Sequence, residues 1–102
     1  MANTALTEAV YYILLSLLTP RHGYGIMQNA EVLSGGRVKL AAGTLYGAIS
    51  TLLDRQWIQL YSAEEGSRKK KEYLITAAGR DAFACEMDRL LELSENGKLM
   101  EE

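Results

Sequence analysis

The apolar residues of this chain change their spacing twice, at Trp57 and again after Ile75. As far as Leu53 they recur at helical intervals, and from Trp57 they alternate with polar residues. A period near 3.6 buries one stripe of a helix, whereas a period of 2 buries one face of a strand. The first switch therefore separates a helical first half from a short strand pair. Thr7 reads as the cap of a first helix, with Glu8 in its first turn and Val10, Ile13, Leu14, Leu17 and Leu18 along one side, ended by Pro20. Ile26, Ala30 and Leu33 give a second, shorter helix that stops at Gly35 and Gly36. "AAGTLYGAISTLLDRQ", residues 41–56, gives a third, with Leu45, Ile49, Leu52 and Leu53 facing the core and Leu40 placed to staple onto Leu45.

Beyond Trp57, Ile58 and Leu60 alternate with Gln59 and Tyr61, and Tyr73 and Ile75 alternate with Glu72 and Leu74. The polar stretch "SAEEGSRKK" joins them as the loop of a hairpin. Thr76 then caps a last helix striped with Phe83, Met87, Leu90 and Leu91, with Asn96 and Gly97 at its end. The expected fold is mainly α with a small β-hairpin: a winged helix-turn-helix over residues 1–76, then a dimerisation helix and acidic tail over 77–102. At 102 residues this is one small domain, only marginally stable alone.

Charge supports that order. The whole chain carries a net −2, but residues 37–75 carry a net +3 and residues 76–102 a net −4. A polyanion would bind the middle and be repelled by the end. The longest apolar run, Ala9 to Leu18, is about half of what a membrane span needs, and no basic residue precedes it as in a signal peptide. With a single cysteine, no internal disulfide is possible, so a reducing, cytoplasmic setting is expected.

Four motifs in order make the sequence recognisable: "HGYGIM" (22–27), "GTLYGAISTL" (43–52), "EYLIT" (72–76) and "AAGR" (77–80). Together they resemble the PadR family of bacterial transcriptional regulators, in particular its short members with one C-terminal helix, and the likeness covers nearly the whole chain. It implies a homodimeric repressor of a palindromic operator on double-stranded DNA, in many members released by small aromatic or hydrophobic compounds. This chain departs from the family at Ala41 and Ala42, where a capping Ser and a Pro are frequent, and at Gln56, where Gly is frequent. It also carries Leu90, Leu91 and Leu93 where some short members have a drug-stacking Trp.

At about 100° per residue, the outer face of the third helix is Gly43, Gly47, Ser50, Thr51 and Asp54, flanked by Thr44 and Tyr46. In a structural helix Gly47 would cost about 1 kcal/mol against alanine. In a recognition helix the same bareness lets backbone approach the groove, with Thr44, Ser50 and Tyr46 as donors to phosphate or base edges. Tyr24, at the start of the second helix, reads either as a phosphate contact or as a packed tyrosine. Lys39 and the run Arg68, Lys69, Lys70, Lys71 complete the expected DNA contacts. Dimerisation is expected through Phe83, Met87, Leu90 and Leu91 against Val10, Tyr11, Leu14 and Leu18.

No pair of catalytic residue types stands at a recognisable spacing, so an enzyme is not expected, nor is a cofactor or a metal. His22 reads as a local turn residue and Cys85 as a small packing residue. The alternative to DNA binding is a winged-helix module that uses its third helix for a protein partner.

Overall fold

The computed structural model describes residues 5–63 and 71–101. It has the expected order of helices with one addition: α1 (Glu8–Ser16), β1 (Arg21–His22), α2 (Gly23–Leu33), α3 (Ala42–Asp54), β2 (Ile58–Ala63), β3 (Lys71–Ile75) and α4 (Ala77–Gly97), followed by a 3-10 turn over Lys98–Glu101. The sheet has three antiparallel strands in the order β1-β3-β2, so β3 is central. Arg21 pairs with Tyr73 and His22 with Glu72. Two residues are too few to show an alternation, which is why β1 carries no signal in the sequence. The turn residues leave the core to Ile13, Leu14, Leu17, Ile26, Leu45, Ile49, Leu52, Ile58, Tyr73 and Ile75.

The helix ends are closed by specific groups. Thr7 accepts a hydrogen bond from the Val10 amide at 3.1 Å, and Glu8 pairs with Arg37 from the α2–α3 connection. The first helix stops at Ser16, a turn earlier than Pro20 alone requires. There Arg21 Nε donates to the Ser16 carbonyl at 2.8 Å and the Ile75 amide to the Leu17 carbonyl at 2.9 Å. Those two bonds satisfy carbonyls that a helix C-terminus leaves without partners. The buried Ser16 hydroxyl donates to the Tyr12 carbonyl and accepts from Asn29 Nδ2, tying α1 to α2. His22 is a helix cap, not merely a turn residue: its Nδ1 accepts from the Gly25 amide at 3.2 Å. Gly35 and Gly36 end α2 with positive φ of 66° and 86°, donating to the carbonyls of Val32 and Glu31.

α3 starts at Ala41 without any side-chain cap, as the Ala-Ala departure implies, and ends in the same two-bond pattern as α2. Gln56 donates to the Leu53 carbonyl and Trp57 to that of Leu52, each at 3.0 Å. This geometry places Gln56 at φ 61°, the left-handed position where glycine is at ease and glutamine is not. Thr76 then joins the segment to α4. Its hydroxyl donates to the Gln56 carbonyl at 2.6 Å and accepts from the Gly79 amide at 3.0 Å, while its own amide donates to the Trp57 carbonyl at 2.9 Å. The first turn of α4 therefore lies directly on Trp57. A Cβ at Gly79 would collide with the Trp57 carbonyl oxygen and sit 2.8 Å from Ile75 Cγ1.

Four expectations need correction. Leu33 is 49% exposed, because α2 turns it past the edge of the core stripe. Leu60 is exposed although Ile58, two residues earlier on the same face of β2, is buried: Leu60 is the last residue in register with β3 before a bulge at Tyr61, where the strand leaves the core. Leu14 lies wholly inside the chain's own core and is lost as a dimerisation residue. Cys85 is exposed on α4 and is not a buried packing residue.

Gly79→Ala is expected to lower stability by about 2 kcal/mol or more, since rigid backbone must give way to the new methyl group. Gln56→Gly is expected to raise it by about 1 kcal/mol by relieving the left-handed strain. Urea unfolding at equal protomer concentration measures both.

Candidate nucleic-acid interface

Helix α3 buries Leu45, Ile49 and Leu52 and turns the opposite face outward. Gly43, Thr44, Gly47 and Ser50 are all exposed, and a Cβ built at Gly43 or Gly47 would meet no atom within 4 Å. Neither glycine is needed for packing inside the chain. Thr51 is spoken for locally, its hydroxyl donating to the Gly47 carbonyl at 3.2 Å. Asp54 stands at the far end of the helix, exposed and away from the N-terminal turns.

Tyr46 is 51% exposed and leans on the N-terminus of α2. The contact is close enough that a Cβ at Gly23 would lie 2.9 Å from Tyr46 Cζ and nearer still to its hydroxyl. Gly23 is thus the residue that lets the phenol settle over the start of α2. Nothing in the spacing of the sequence predicts this pairing, because the two residues belong to different helices. Beneath it, burial pushes the Tyr73 phenol up from its ordinary pKa, with a smaller contribution from Tyr46. The Tyr73 phenol is therefore neutral around pH 7, and its hydroxyl remains a donor.

Tyr24 is 63% exposed, which removes the packed alternative. It shares a shallow groove with exposed Lys39 from the α2–α3 connection and with Gln28 from the next turn of α2. Gln28 carries no signal in the sequence, because a lone exposed glutamine breaks no pattern. Lys71, the first residue of β3, is exposed and paired with Ala63 of β2. Arg68, Lys69 and Lys70 lie outside the described residues. The structure thus puts Tyr24 and Lys39 on one groove and Tyr46 against the start of α2, with Lys71 at the sheet end.

A second face is apolar. Phe83 stacks on Tyr11 with ring centroids 4.5 Å apart, and the Tyr11 hydroxyl donates to Met87 Sδ at 3.1 Å. The N-terminal half of the α4 stripe therefore closes on α1 of its own chain, with Val10 half-buried beside it. Leu18, Met87, Leu90 and Leu91 stay exposed, Leu91 by 63%. A groove of about 390 Å³ runs between α1 and α4 past Leu18, Ala84, Met87 and Leu91. Nearby, Glu86 is buried and accepts two bonds from Arg89 and one from the Leu6 amide, so its carboxyl is held below the usual carboxylate range, chiefly by Arg89. No helix among the described residues is long and apolar enough to cross a membrane.

Comparison with known proteins agrees with this fold. The profile of the transcriptional regulator PadR-like family matches residues 13–85. The structure is similar to a PadR-like transcription factor from Bacteroides fragilis, with TM-score 0.72 and 20% identity over 90% of this chain and 87% of the other. A PadR family transcriptional regulator from Eggerthella lenta gives 0.69 and 26%, over 90% and 80%. A transcriptional regulator from Clostridium thermocellum gives 0.68 and 24%, over 87% and 89%. No curated protein matches significantly.

Gly47→Leu is expected to leave the fold intact, since the site is open, while placing a branched side chain on the bare face. Duplex affinity should fall by about tenfold or more, the equivalent of one or two lost phosphate or base contacts. Circular dichroism and a binding titration on the same sample separate the two effects.

Proposed function

The chain belongs to the transcriptional regulator PadR-like family, and we propose that it acts as a dimeric, sequence-specific repressor of a palindromic operator, relieved by a small hydrophobic or aromatic effector. The observation that carries this reading is the open, side-chain-poor outer face of α3, which has no function in packing and suits close approach of the helix to the major groove. Gly43, Thr44, Gly47 and Ser50 would lie toward the bases. Tyr24, Lys39 and Tyr46 would hold phosphate beside them. The basic run Arg68 to Lys71 would extend the contact along the backbone as a wing.

Dimerisation is supported by the apolar surface that α4 leaves uncovered. Met87, Leu90, Leu91 and Leu18 are exposed on a chain small enough to need further burial. A twofold partner would cover them and set two α3 helices about 34 Å apart, one turn of DNA. Residues 1–76 would then serve DNA binding and 77–102 pairing, with no catalytic role for either part.

The test is a titration of the full chain on a palindromic duplex from its own upstream region over a salt series. Specific binding is expected, and Lys69→Glu with Lys70→Glu should flatten the log-log salt slope by about two units. Leu90→Asp with Leu91→Asp should give a monomer in sedimentation and weaken operator binding more than binding to unrelated DNA. Absence of specific binding at low salt overturns the reading.

A further inference from the structure

His22 is the only histidine of the chain and stands where β1 turns into α2. Its Nδ1 accepts from the Gly25 amide at 3.2 Å. A ring nitrogen that accepts carries no hydrogen, so the capping imidazole is neutral, with its proton on Nε2. Protonation puts a hydrogen on Nδ1 as well, which removes the acceptor and sets a positive charge against the positive end of the α2 dipole. The cap therefore exists in one charge state only, unlike the hydroxyl caps that Thr7 and Thr76 supply to α1 and α4. Histidine is the side chain whose charge ordinarily changes between about pH 5 and 8.

The charged form has a partner of its own. His22 lies directly opposite Glu72 of β3 in the antiparallel ladder, and opposed residues send their side chains to the same face, with Cβ atoms about 4.5–5.5 Å apart. Glu72 Oε1 accepts from the Ser62 hydroxyl at 2.7 Å, and a carboxylate accepts at both its oxygens. Among the other titratable groups around the ring, Arg21 on β1 donates to the Ser16 carbonyl at 2.8 Å and Tyr46 of α3 lies over Gly23. Tyr24 of α2 is exposed, and Lys71 and Tyr73 alternate to the other face of β3.

We propose that His22 is a proton-operated positioning residue for the surface formed by the start of α2 and Tyr46 of α3. Neutral, it caps α2 and holds Gly23 under Tyr46 and Tyr24 on the groove shared with Lys39. Protonated, it releases the Gly25 amide and turns to Glu72, and the first turn of α2 loosens. Specific DNA binding then weakens on acidification. That consequence rests on the repressor reading above; the exchange of partners does not.

Titrations of the full chain on the operator duplex, at fixed salt and from about pH 8 to about pH 5.5, span the imidazole range. They compare the parent with His22→Asn, whose amide oxygen caps at every pH, and with His22→Ala, which caps at none. Parent and His22→Asn are expected to bind equally at the alkaline end, with the parent weaker by about fivefold at the acid end, the size of a helix cap. His22→Ala should be weak throughout, and circular dichroism verifies each variant's fold. In the free chain, NMR of the ring nitrogens should show the Nε2–H tautomer at the alkaline end, and Glu72→Gln should move the ring titration to lower pH. An Nδ1–H tautomer, or a titration that Glu72→Gln leaves in place, overturns the exchange of partners. A parent that matches or outbinds His22→Asn at the acid end overturns the positioning role and leaves the repressor reading standing. Absence of specific binding at every pH overturns the repressor reading instead, and the NMR result then decides the exchange by itself.

Discussion

The junction at residues 56 and 57 is the constraint on which the rest of the arrangement turns. The Gln56 and Trp57 carbonyls accept from the hydroxyl and the amide of Thr76, and the bare Cα of Gly79 lies against Trp57. Through these few atoms the end of α3, the end of the central strand and the start of α4 are fixed to one another. Hydrogen bonds of this kind contribute about 1 kcal/mol each. Their importance here is geometric: α3 cannot rotate about its axis without breaking them, so the outer face of α3 keeps one orientation relative to the sheet. The strain at Gln56 is the local cost of that closure, and it persists because the surrounding bonds over-determine the position.

The two ends of the α1–α2 pair are fastened in a similar way. The carbonyls at the end of α1 are taken by Arg21 and by the amide of Ile75, and Ser16 carries the bond to Asn29. The buried Ser16 hydroxyl is fully used, which is the condition under which a polar group in a core gives specificity instead of a penalty. With α1, α2 and the sheet locked, the start of α2 and the face of α3 form a single continuous surface through the contact between Gly23 and Tyr46. That surface meets DNA in the proposed reading.

Helix α4 divides its labour along its length. Its first half is part of the domain, through Phe83 on Tyr11, the Met87 contact and the Glu86 network. Its second half, with Leu90 and Leu91, leaves the domain with apolar side chains in water. In one helix the same stripe therefore serves two purposes, and only the position of α1 decides where the first stops.

Most of the fold was legible because periodicity, caps and glycine stops are local. Thr7, Thr76, Gly35 and Gly36 act within three or four residues of themselves, and the core stripes of α1 and α3 and the buried pair Tyr73 and Ile75 follow directly from their spacing. The exposed face of α3 followed for the same reason: once Leu45, Ile49 and Leu52 are inside, Gly43, Gly47 and Ser50 must be outside. What the sequence could not determine depends on contacts between distant segments. The two-residue strand β1 exists only because β3 offers it an edge, and the bulge at Tyr61 is set by the pairing partner. The loss of Leu14 to the core and the seat of Tyr46 on Gly23 depend on where one helix lies against another. Spacing along a chain sets which side of an element is apolar; only packing in three dimensions decides what that side will touch.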